Sequence, residues 1–310
     1  MKSVDYFHMN AADLSAALQG SQPPLLIHVL PPEHFAARRI HGAKNACVYE
    51  VAFLGNVKEF APGLAQAIVV YGEGTPSEDS EEAARQLKAA GYSHVTDFRG
   101  GLREWVANGF PVEGEGSLPS ALKPDGTFTL DAKTSVIRWT GRNLFNFHHG
   151  HLSLSDGKVV FSAGQVVSAG FTIDMNSIAC EDLTDPGYNA MLIKHLRTTD
   201  FFDVETHPTA HFESTRIESL SGATDGSPTH RVTGLFTLRE KSEEITFPVL
   251  IAAADADHVT AQAVLEIDRT RWGSIYGSGK FFAYLCKHVV NDLIALHLKI
   301  QFTRQNNAIR

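Results

Sequence analysis

Two different hydrophobic periodicities meet near residue 115 of this chain, and that change limits its possible folds more than any other feature. In the first part, short apolar runs at 25–30, 68–71 and 95–98 alternate with helical patterns such as 81–90. This alternation predicts a parallel sheet covered by helices on both faces. In the second part, apolar and polar residues alternate in steps of two, as in strands with one buried face.

A chain of 310 residues can form two domains, each with its own core. We predict an α/β domain over residues 1–113, a linker over 114–125 and an all-β domain over 126–305. The linker belongs to the stretch EGEGSLPSALKPDG, which is rich in glycine, proline, serine and charge. The last domain contains about eight or nine strand-like runs, which predict an antiparallel barrel or sandwich.

Two local patterns add detail to the all-β domain. Asp156-Gly157 lies between the apolar runs 152–154 and 159–161, which predicts a β-hairpin turn at these residues. Asp185-Pro186 places a capping residue before a proline, which predicts the start of a short helical insertion.

The first domain resembles the rhodanese family. The stretches LLIHVLPPEHFAARRIHGAKNA and VVYGEG…AARQLKAAGYSHVTDFRGGLREWVANGFPV match that family in order and spacing, over nearly all of residues 5–112. Rhodaneses carry sulfane sulfur on a cysteine at the first loop position after the VVY-type strand, and this chain has Gly72 there. His28 and Leu30 also stand where the family usually has Asp and Arg. The resemblance therefore implies the fold without its sulfur carrier.

The loop after Gly72 is acidic, which also disfavours sulfur transfer. It carries Glu73, Glu78 and Asp79, with no Lys or Arg before Arg85. Nearby carboxylates oppose a thiolate or thiosulfate at a loop–helix junction, where positive potential is needed. Cys47, the one cysteine of this domain, lies away from the loop at a strand entry and is interpreted as a small buried thiol. We predict a catalytically inactive domain without sulfurtransferase activity.

The second domain resembles the YceI-like family over about residues 126–304. The stretch KHLRTTDFFDVETHPTAHF is the most specific match, and FTIDMNSI, Thr233-Gly234 and IDRTRWG agree as well. The resemblance implies a lipocalin-like barrel whose apolar interior holds an isoprenoid, a quinone or a fatty chain. GSIYGSGKFFAYLCKHVVNDL is interpreted as a flap over one barrel end, with Phe281 and Phe282 packing inward. The predicted ligand-binding residues are Trp139, Phe145, Phe147, His149, Phe171, His195, Phe201, Phe281 and Phe282.

The stretch FNFHHGHLSL concentrates three of the 15 histidines. On a strand, His149 and His151 share one face and His148 points to the other. Together with His195, these two residues could form a three-histidine metal site with an open position. The alternative is a polar rim that hydrogen-bonds a ligand head group, and Gly150 favours it because a bulge there would break the alternation. A metal is not the favoured interpretation, and its candidate ligands are His149, His151 and His195.

Charge and cysteine usage exclude other classes of protein. Lys and Arg number 27 against 35 Asp and Glu, a net charge of −8 that argues against a broad nucleic-acid or anionic-membrane surface. The N-terminus lacks the apolar core of a secretory signal, and no run reaches the roughly 18–20 apolar residues of a transmembrane helix. Cys47, Cys180 and Cys286 are few and widely spaced, as in reduced proteins. We therefore expect a cytoplasmic protein.

These observations predict a protein that binds an apolar small molecule, with no other cofactor named. The inactive rhodanese-like domain would serve docking or dimerisation, with a second copy or another protein as partner. Two alternatives stay open. The histidine cluster could belong to a metal-dependent or redox enzyme, or the barrel could be filled by its own side chains and act as an interaction scaffold.

Overall fold

The computed structural model describes residues 9–114, 116 and 122–305. The chain divides into two compact units, Met1–Ala121 and Leu122–Arg310. Half of the predicted linker, residues 115 and 117–121, lies outside the described residues. Within those described ranges, no helix combines the length and the apolar composition needed to cross a membrane.

The first unit is built on a four-stranded parallel sheet with the strand order β3–β1–β4–β5. A separate antiparallel pair joins β2 and β6. The predicted α/β fold with a parallel sheet is confirmed. In chain order the elements are α1 (Ala11–Leu18), β1 (Leu25–His28), α2 (Pro32–Ala37), β2 (Arg39–Ile40), β3 (Lys44–Asn45), α3 (Phe53–Phe60), β4 (Ala67–Tyr71), α4 (Asp79–Ala89), β5 (His94–Asp97), α5 (Gly101–Ala107) and β6 (Val112–Glu113).

Strand β4 shows why this sheet is buried on both faces. Ile68 and Val70 belong to one core cluster together with α4, whereas Val69 and Tyr71 belong to another together with Trp105 of α5. Side chains alternate across a strand, so a strand covered on both faces is apolar at successive positions. The run at 68–71 has that composition.

The second unit is an antiparallel barrel of nine strands. Hydrogen bonding follows the order β10–β11–β12–β13–β14–β15–β7–β9–β8, and the β9–β10 pairing closes the ring. Strands β7 and β8 both lie between β15 and β9, so the barrel has eight strand positions. The predicted lipocalin-like barrel with a helical insertion is confirmed. In chain order the elements are β7 (Gly126–Leu130), β8 (Val136–Arg142), β9 (Phe147–Ser162), β10 (Gln165–Cys180), α6 (Pro186–Leu196), β11 (Thr209–Ser219), β12 (His230–Leu238), β13 (Lys241–Ala253), β14 (His258–Asp268) and β15 (Leu293–Arg304).

The predicted hairpin at Asp156-Gly157 is wrong, because β9 runs through both residues without a turn. The chain reverses instead at Ala163 and Gly164, which both have positive φ values, as the tightest hairpin turns require. At Gly157 the strands approach so closely that a Cβ would lie 3.1 Å from the carbonyl oxygen of Gly170. This glycine therefore permits close strand pairing next to a register shift and does not form a turn.

The helical insertion begins where the sequence predicts. The Asp185 carboxylate accepts hydrogen bonds from the amides of Gly187 and Tyr188, at 2.8 and 2.9 Å, and Pro186 occupies the first helical position. These contacts satisfy amides that a helix start leaves unpaired. The Asn189 side chain of α6 donates to the carbonyl oxygen of Cys180 at 3.0 Å, which ties the helix to the end of β10.

Side chains fill one part of the barrel interior. A run of rings, Phe171, Phe212 and Phe247, has centroids 5.3 and 5.4 Å apart, and Phe128 packs against Phe161 at 5.5 Å. The voids recorded beside these rings measure only about 50 and 20 Å³. This packing leaves the larger space to the other part of the barrel.

Candidate functional site

A cavity of about 350 Å³ occupies the part of the barrel next to α6. This volume is at the lower end of the range for small-molecule sites, about 300–1,000 Å³. Its wall is mainly apolar and is formed by Ile137, Trp139, Leu152, Ile173, Met175, Ile178, Leu192, Leu196, Phe201, Phe202, Phe236, Leu238, Ile267, Val289, Val290, Ile294 and Leu296.

Three segments surround the mouth of the cavity: residues 142–148 around the turn between β8 and β9, helix α6, and the segment 273–292 between β14 and β15. Asn143 forms an isolated β-bridge with Val290, which joins the first of these segments to the third. Tyr276 packs edge-on against His195 at 4.8 Å between ring centroids, which joins the third segment to α6. The mouth is thus a connected rim rather than three separate loops.

Arg269 anchors the segment 273–292. Its side chain is 1% exposed, and its guanidinium lies over the Phe201 ring at 5.6 Å. Burial lowers the pKa of this guanidinium, and Asp292 and Asp268 partly oppose that effect. The guanidinium donates hydrogen bonds to the carbonyl oxygens of Ser274, Tyr276, Val290 and Asn291.

The polar groups of the lining lie mostly on the mouth segments. Arg142 and His148 come from the ends of β8 and β9, His195 from α6, and Lys287 and His288 from the third segment. His195 Nε2 lies 3.1 Å from the Asp200 carboxylate, which orients its ring. An apolar chamber with polar groups at one end can hold a chain and contact its polar terminus.

His148 takes part in a compact polar cluster at this mouth. Its Nδ1 lies 2.8 Å from Asp182 Oδ2, and the Cys180 thiol donates to Asp182 Oδ1 at 3.3 Å. The His149 amide also donates to Asp182 Oδ1, at 2.7 Å. Burial alone would raise the pKa of Asp182, but these hydrogen bonds outweigh it and lower the pKa to about 2. Burial raises the pKa of the Cys180 thiol.

Three of the sequence-predicted ligand residues lie in the cavity wall: Trp139 of β8, His195 of α6 and Phe201. Phe171 does not line this cavity. It stacks on Phe212 among the aromatic side chains that fill the rest of the interior.

The other aromatic ligand predictions need correction, because those side chains point to solvent. Phe145 is 74% exposed and Phe147 60%, and Phe281 and Phe282 are 54% and 45% exposed. All four lie outside the cavity lining. The expected inward packing of Phe281 and Phe282 is wrong, because the half-buried Val289 and Val290 of the flap line the cavity instead.

The predicted histidine site is also corrected. His149 and His151 share a face, as strand alternation requires, but His148 is the residue that lines the cavity. The imidazole of His151 pairs with Glu181 at 2.8 Å, whereas His195 faces Asp200. Within the described residues, the one group of three metal-capable side chains consists of His148, Cys180 and Asp182.

In the first unit, the position of Gly72 is closed to a side chain. A Cβ built there would lie 2.5 Å from Cγ of Asp79, the first residue of α4. Asp79 is 4% exposed, and its carboxylate accepts hydrogen bonds from the Ser80 amide at 2.7 Å and the Ser77 hydroxyl at 2.9 Å. The carboxylate therefore occupies the space that a cysteine side chain would need.

The loop after Gly72 is less acidic in space than in sequence. Arg38 donates to the Glu73 carboxylate at 3.0 Å, and Arg103 donates to the carbonyl oxygen of Thr75 at 2.8 Å. Both arginines come from segments distant in sequence. Cys47 is buried, as predicted.

His28, at the end of β1, is fully buried beside the rings of Phe35 and Tyr71, with centroid distances of 5.7 and 5.0 Å. Burial lowers its pKa to about 4, with smaller contributions from His34 and Arg39. Burial raises the pKa of Tyr71, whose hydroxyl accepts a hydrogen bond from the Ile40 amide at 3.0 Å. His28, which stands where the rhodanese family usually has Asp, is thus a neutral core residue in this chain.

The chain belongs to the YceI-like domain family, whose model matches residues 128–302. Residues 10–108 match the rhodanese-like domain. A UPF0312 protein of Azotobacter vinelandii (strain DJ / ATCC BAA-1303) is 31% identical over 147 residues, which cover 44% of this chain and 68% of that protein.

Two solved structures are similar to this chain over somewhat more than half of its length. Burkholderia cenocepacia BcnA is 25% identical with a TM-score of 0.43, and the match covers 56% of this chain and 98% of BcnA. A polyisoprenoid binding domain from Saccharophagus degradans is 14% identical with a TM-score of 0.43, and the match covers 57% of this chain and 98% of that domain.

Proposed function

We propose that the barrel binds an apolar small molecule, an isoprenoid, a quinone or a fatty chain, in the cavity beside α6. The observation that carries this proposal is a 350 Å³ chamber with a mainly apolar wall and polar groups at its mouth. Side chains fill the other part of the barrel, so this space is specific to one end. Membership of the YceI-like family also supports the binding of an apolar ligand in this cavity.

The test is the identification of whatever the purified full-length chain carries. Organic extraction followed by mass spectrometry is expected to yield an apolar molecule in near-stoichiometric amount. A fluorescent fatty acid is expected to bind to a second sample, freed of its ligand under native conditions on a hydrophobic resin, and to be displaced by that molecule. An empty extract together with no probe binding would overturn the proposal.

A matched pair of variants shows whether the probe binds in this cavity. Met175 lines the cavity, whereas Val264 lies on the outer face of β14 and is 65% exposed. Met175→Trp places a ring in the chamber and is expected to abolish most of the binding, while Val264→Trp is expected to retain it. Equal binding by both variants would place the probe elsewhere.

In this proposal, the first unit is a docking or dimerisation module without sulfurtransferase activity. Its support is Gly72 at the sulfur-carrying position and an exposed apolar group, Tyr49, Val51 and Leu54, which are 66%, 107% and 39% exposed. Appreciable thiosulfate:cyanide turnover by the native chain would refute the inactive assignment. Light scattering should show a dimer that Val51→Asp converts to a monomer, and a monomeric parent would refute dimerisation.

A further inference from the structure

We propose that His148, Cys180 and Asp182 bind one zinc-class divalent cation at the mouth of the barrel. This site differs from the three-histidine set considered from the sequence. It would keep one coordination position open toward the cavity, because His148 itself lines the cavity. The proposal depends on the positions of three side chains and not on what the cavity binds.

Strand pairing brings the three residues together from distant parts of the chain. Strands β9 and β10 are antiparallel, with Gly150 opposite Cys180. His148 lies two residues before Gly150, and Asp182 lies two residues after Cys180. Side chains two residues apart share a strand face, so the pairing places His148 and Cys180 on the same side. Asp182 follows the end of β10, and its carboxylate contacts both side chains.

The distances are close to those of a metal site. The candidate ligand atoms all lie within 4.8 Å of one another. Tetrahedral zinc with bonds of about 2.0–2.3 Å holds its ligand atoms roughly 3.3–3.8 Å apart. His148 Nδ1 and Cys180 Sγ already lie 2.8 and 3.3 Å from oxygens of the Asp182 carboxylate. Side-chain adjustments on the order of 1 Å would be sufficient.

The donor set indicates the kind of metal. Imidazole and thiolate favour zinc and its neighbours in the first transition series, whereas calcium and magnesium prefer oxygen ligands alone. The His149 amide donates to Asp182 Oδ1 at 2.7 Å, which holds the carboxylate in place as outer hydrogen bonds do in metal sites. On binding, the Cys180 thiol loses its proton to solvent, and water or an oxygen of a cavity ligand can take the fourth position.

Cobalt(II) tests the site directly because it reports thiolate ligation by its colour. Titration of the reduced full-length chain is expected to saturate at one equivalent, with a sulfur-to-cobalt charge-transfer band that zinc abolishes. Cys180→Ser is expected to lose the band, and His148→Ala to weaken binding by more than about tenfold. Cys286→Ser and His151→Ala are the controls, since Cys286 is exposed and His151 pairs with Glu181 outside the cavity.

Two results would overturn the proposal. One is the absence of a charge-transfer band at stoichiometric cobalt. The other is a band that survives Cys180→Ser and disappears in Cys286→Ser. A second measurement avoids variants altogether: one equivalent of zinc is expected to protect one further thiol of the native chain from alkylation, identified by peptide mapping as Cys180.

A different observation carries a second proposal, a surface for membrane lipid at the mouth. Among the described residues of the second unit, every exposed Phe and Tyr belongs to the three mouth segments. Phe145 and Phe147 come from the first segment, Tyr188 from α6, and Tyr276, Phe281, Phe282 and Tyr284 from the third. We define these seven residues as the aromatic collar.

The charged residues of the mouth segments indicate what kind of partner the aromatic collar would bind. The stretches 142–148, 186–197 and 269–291 contain Lys and Arg but no Asp or Glu, in a chain whose net charge is −8, and the acidic residues that directly flank them are Asp185, Asp268 and Asp292. Neighbouring carboxylates pair with Arg142 and Lys280, whereas the described residues supply no ion pair to Lys194 or Lys287. Aromatic rings with interspersed cations suit the headgroup region of an anionic bilayer. We infer that the collar docks on such a bilayer, a local contact that the overall negative charge does not prevent.

Vesicle flotation of the full-length chain tests this second proposal. Binding to phosphatidylglycerol-containing vesicles is expected, with less binding at high salt and little to phosphatidylcholine alone. Phe281→Ser/Phe282→Ser is expected to weaken binding at least about fivefold, whereas Val264→Ser on the barrel side is expected to leave it unchanged. A lack of vesicle binding would refute membrane docking by the collar. Self-association that the double variant loses would also refute it, because the collar would then bind a second copy of the chain. Neither outcome bears on whether the cavity holds a ligand.

Discussion

The closed position at Gly72 makes a quantitative prediction about restoring the missing cysteine. Gly72→Cys requires the Asp79 carboxylate to leave its place, since a Cβ would lie 2.5 Å from Asp79 Cγ. Leaving breaks two hydrogen bonds, from the Ser80 amide and the Ser77 hydroxyl. At about 1.5–3 kcal/mol for each bond to a charged group, the substitution should lower the free energy of unfolding by about 3–6 kcal/mol. Many domains are stable by only about 5–15 kcal/mol.

Urea unfolding of four variants measures this effect. Gly72→Cys is compared with Asp79→Ala, with the double variant, and with Gly55→Cys as the control. Gly55 lies on the exposed face of α3 with nothing within 4 Å of a built Cβ, so Gly55→Cys adds the same thiol without a clash. We expect the double variant to be less destabilised than the sum of the single variants, with a coupling of about 2 kcal/mol or more.

The thiosulfate:cyanide assay completes the test. Gly72→Cys is expected to remain inactive, because its thiol would share a buried space with a carboxylate that opposes a thiolate. A Gly72→Cys protein as stable as Gly55→Cys would refute the claim that Asp79 fills this space. Turnover by such a protein would show that only the sulfur atom is missing from the site.

Other perturbations probe further features. Arg269→Met removes the donor of hydrogen bonds to four carbonyl oxygens, so it should lower the free energy of unfolding of the barrel by about 3 kcal/mol and expose the segment 273–292 to proteolysis. Arg271→Met, at an exposed position, is the control and should have neither effect. Equal cleavage of the two variants would refute the anchoring role of Arg269. Burial lowers the pKa of His28 in the folded chain from 6.5 to about 4, so the unfolded chain takes up a proton first as the pH falls. The free energy of unfolding should therefore decrease by up to about 3 kcal/mol between pH 6.5 and pH 4. His28→Leu should remove that part of the pH dependence in urea unfolding, and an unchanged profile would contradict it. Gly150→Ala should disrupt both the β9–β10 pairing and cobalt binding, because a Cβ there would lie 2.7 Å from the Ala179 carbonyl carbon. A variant with native stability would contradict this prediction and show that the two strands can separate locally.

Fold class follows from the sequence because periodicity reports burial. The apolar run at 68–71 predicts a sheet that is buried on both faces. The two-residue alternation beyond residue 126 predicts barrel strands that are buried on one face only. The cap at Asp185 is likewise a local signal, and it begins α6 where expected. The Asp156-Gly157 pair fails as a turn signal because a glycine also permits close strand approach, and the local sequence does not distinguish the two uses.

The site is less accessible to sequence reasoning because it depends on contacts between distant residues. Alternation separates His148 from His149 but does not say which of them points inward, and the inward residue is His148. The meeting of Cys180 with His148 depends on the register of β9 and β10, which no local pattern specifies. The interpretation of the segment around Phe281 as a flap over the barrel predicts that this ring packs inward, but a large apolar side chain beside an opening can equally face solvent, as Phe281 does.

The closed barrel has a consequence for how this chain can meet other proteins. Within the described residues, the β9–β10 pairing closes the barrel, so every one of its strands pairs on both sides along at least part of its length. In the four-stranded sheet, the edges are β3 and β5, of only two and four residues. The described chain therefore exposes many aromatic side chains, whereas no strand of the barrel is unpaired along a whole side. We therefore expect association with other proteins to use exposed side chains rather than the addition of a strand to the barrel.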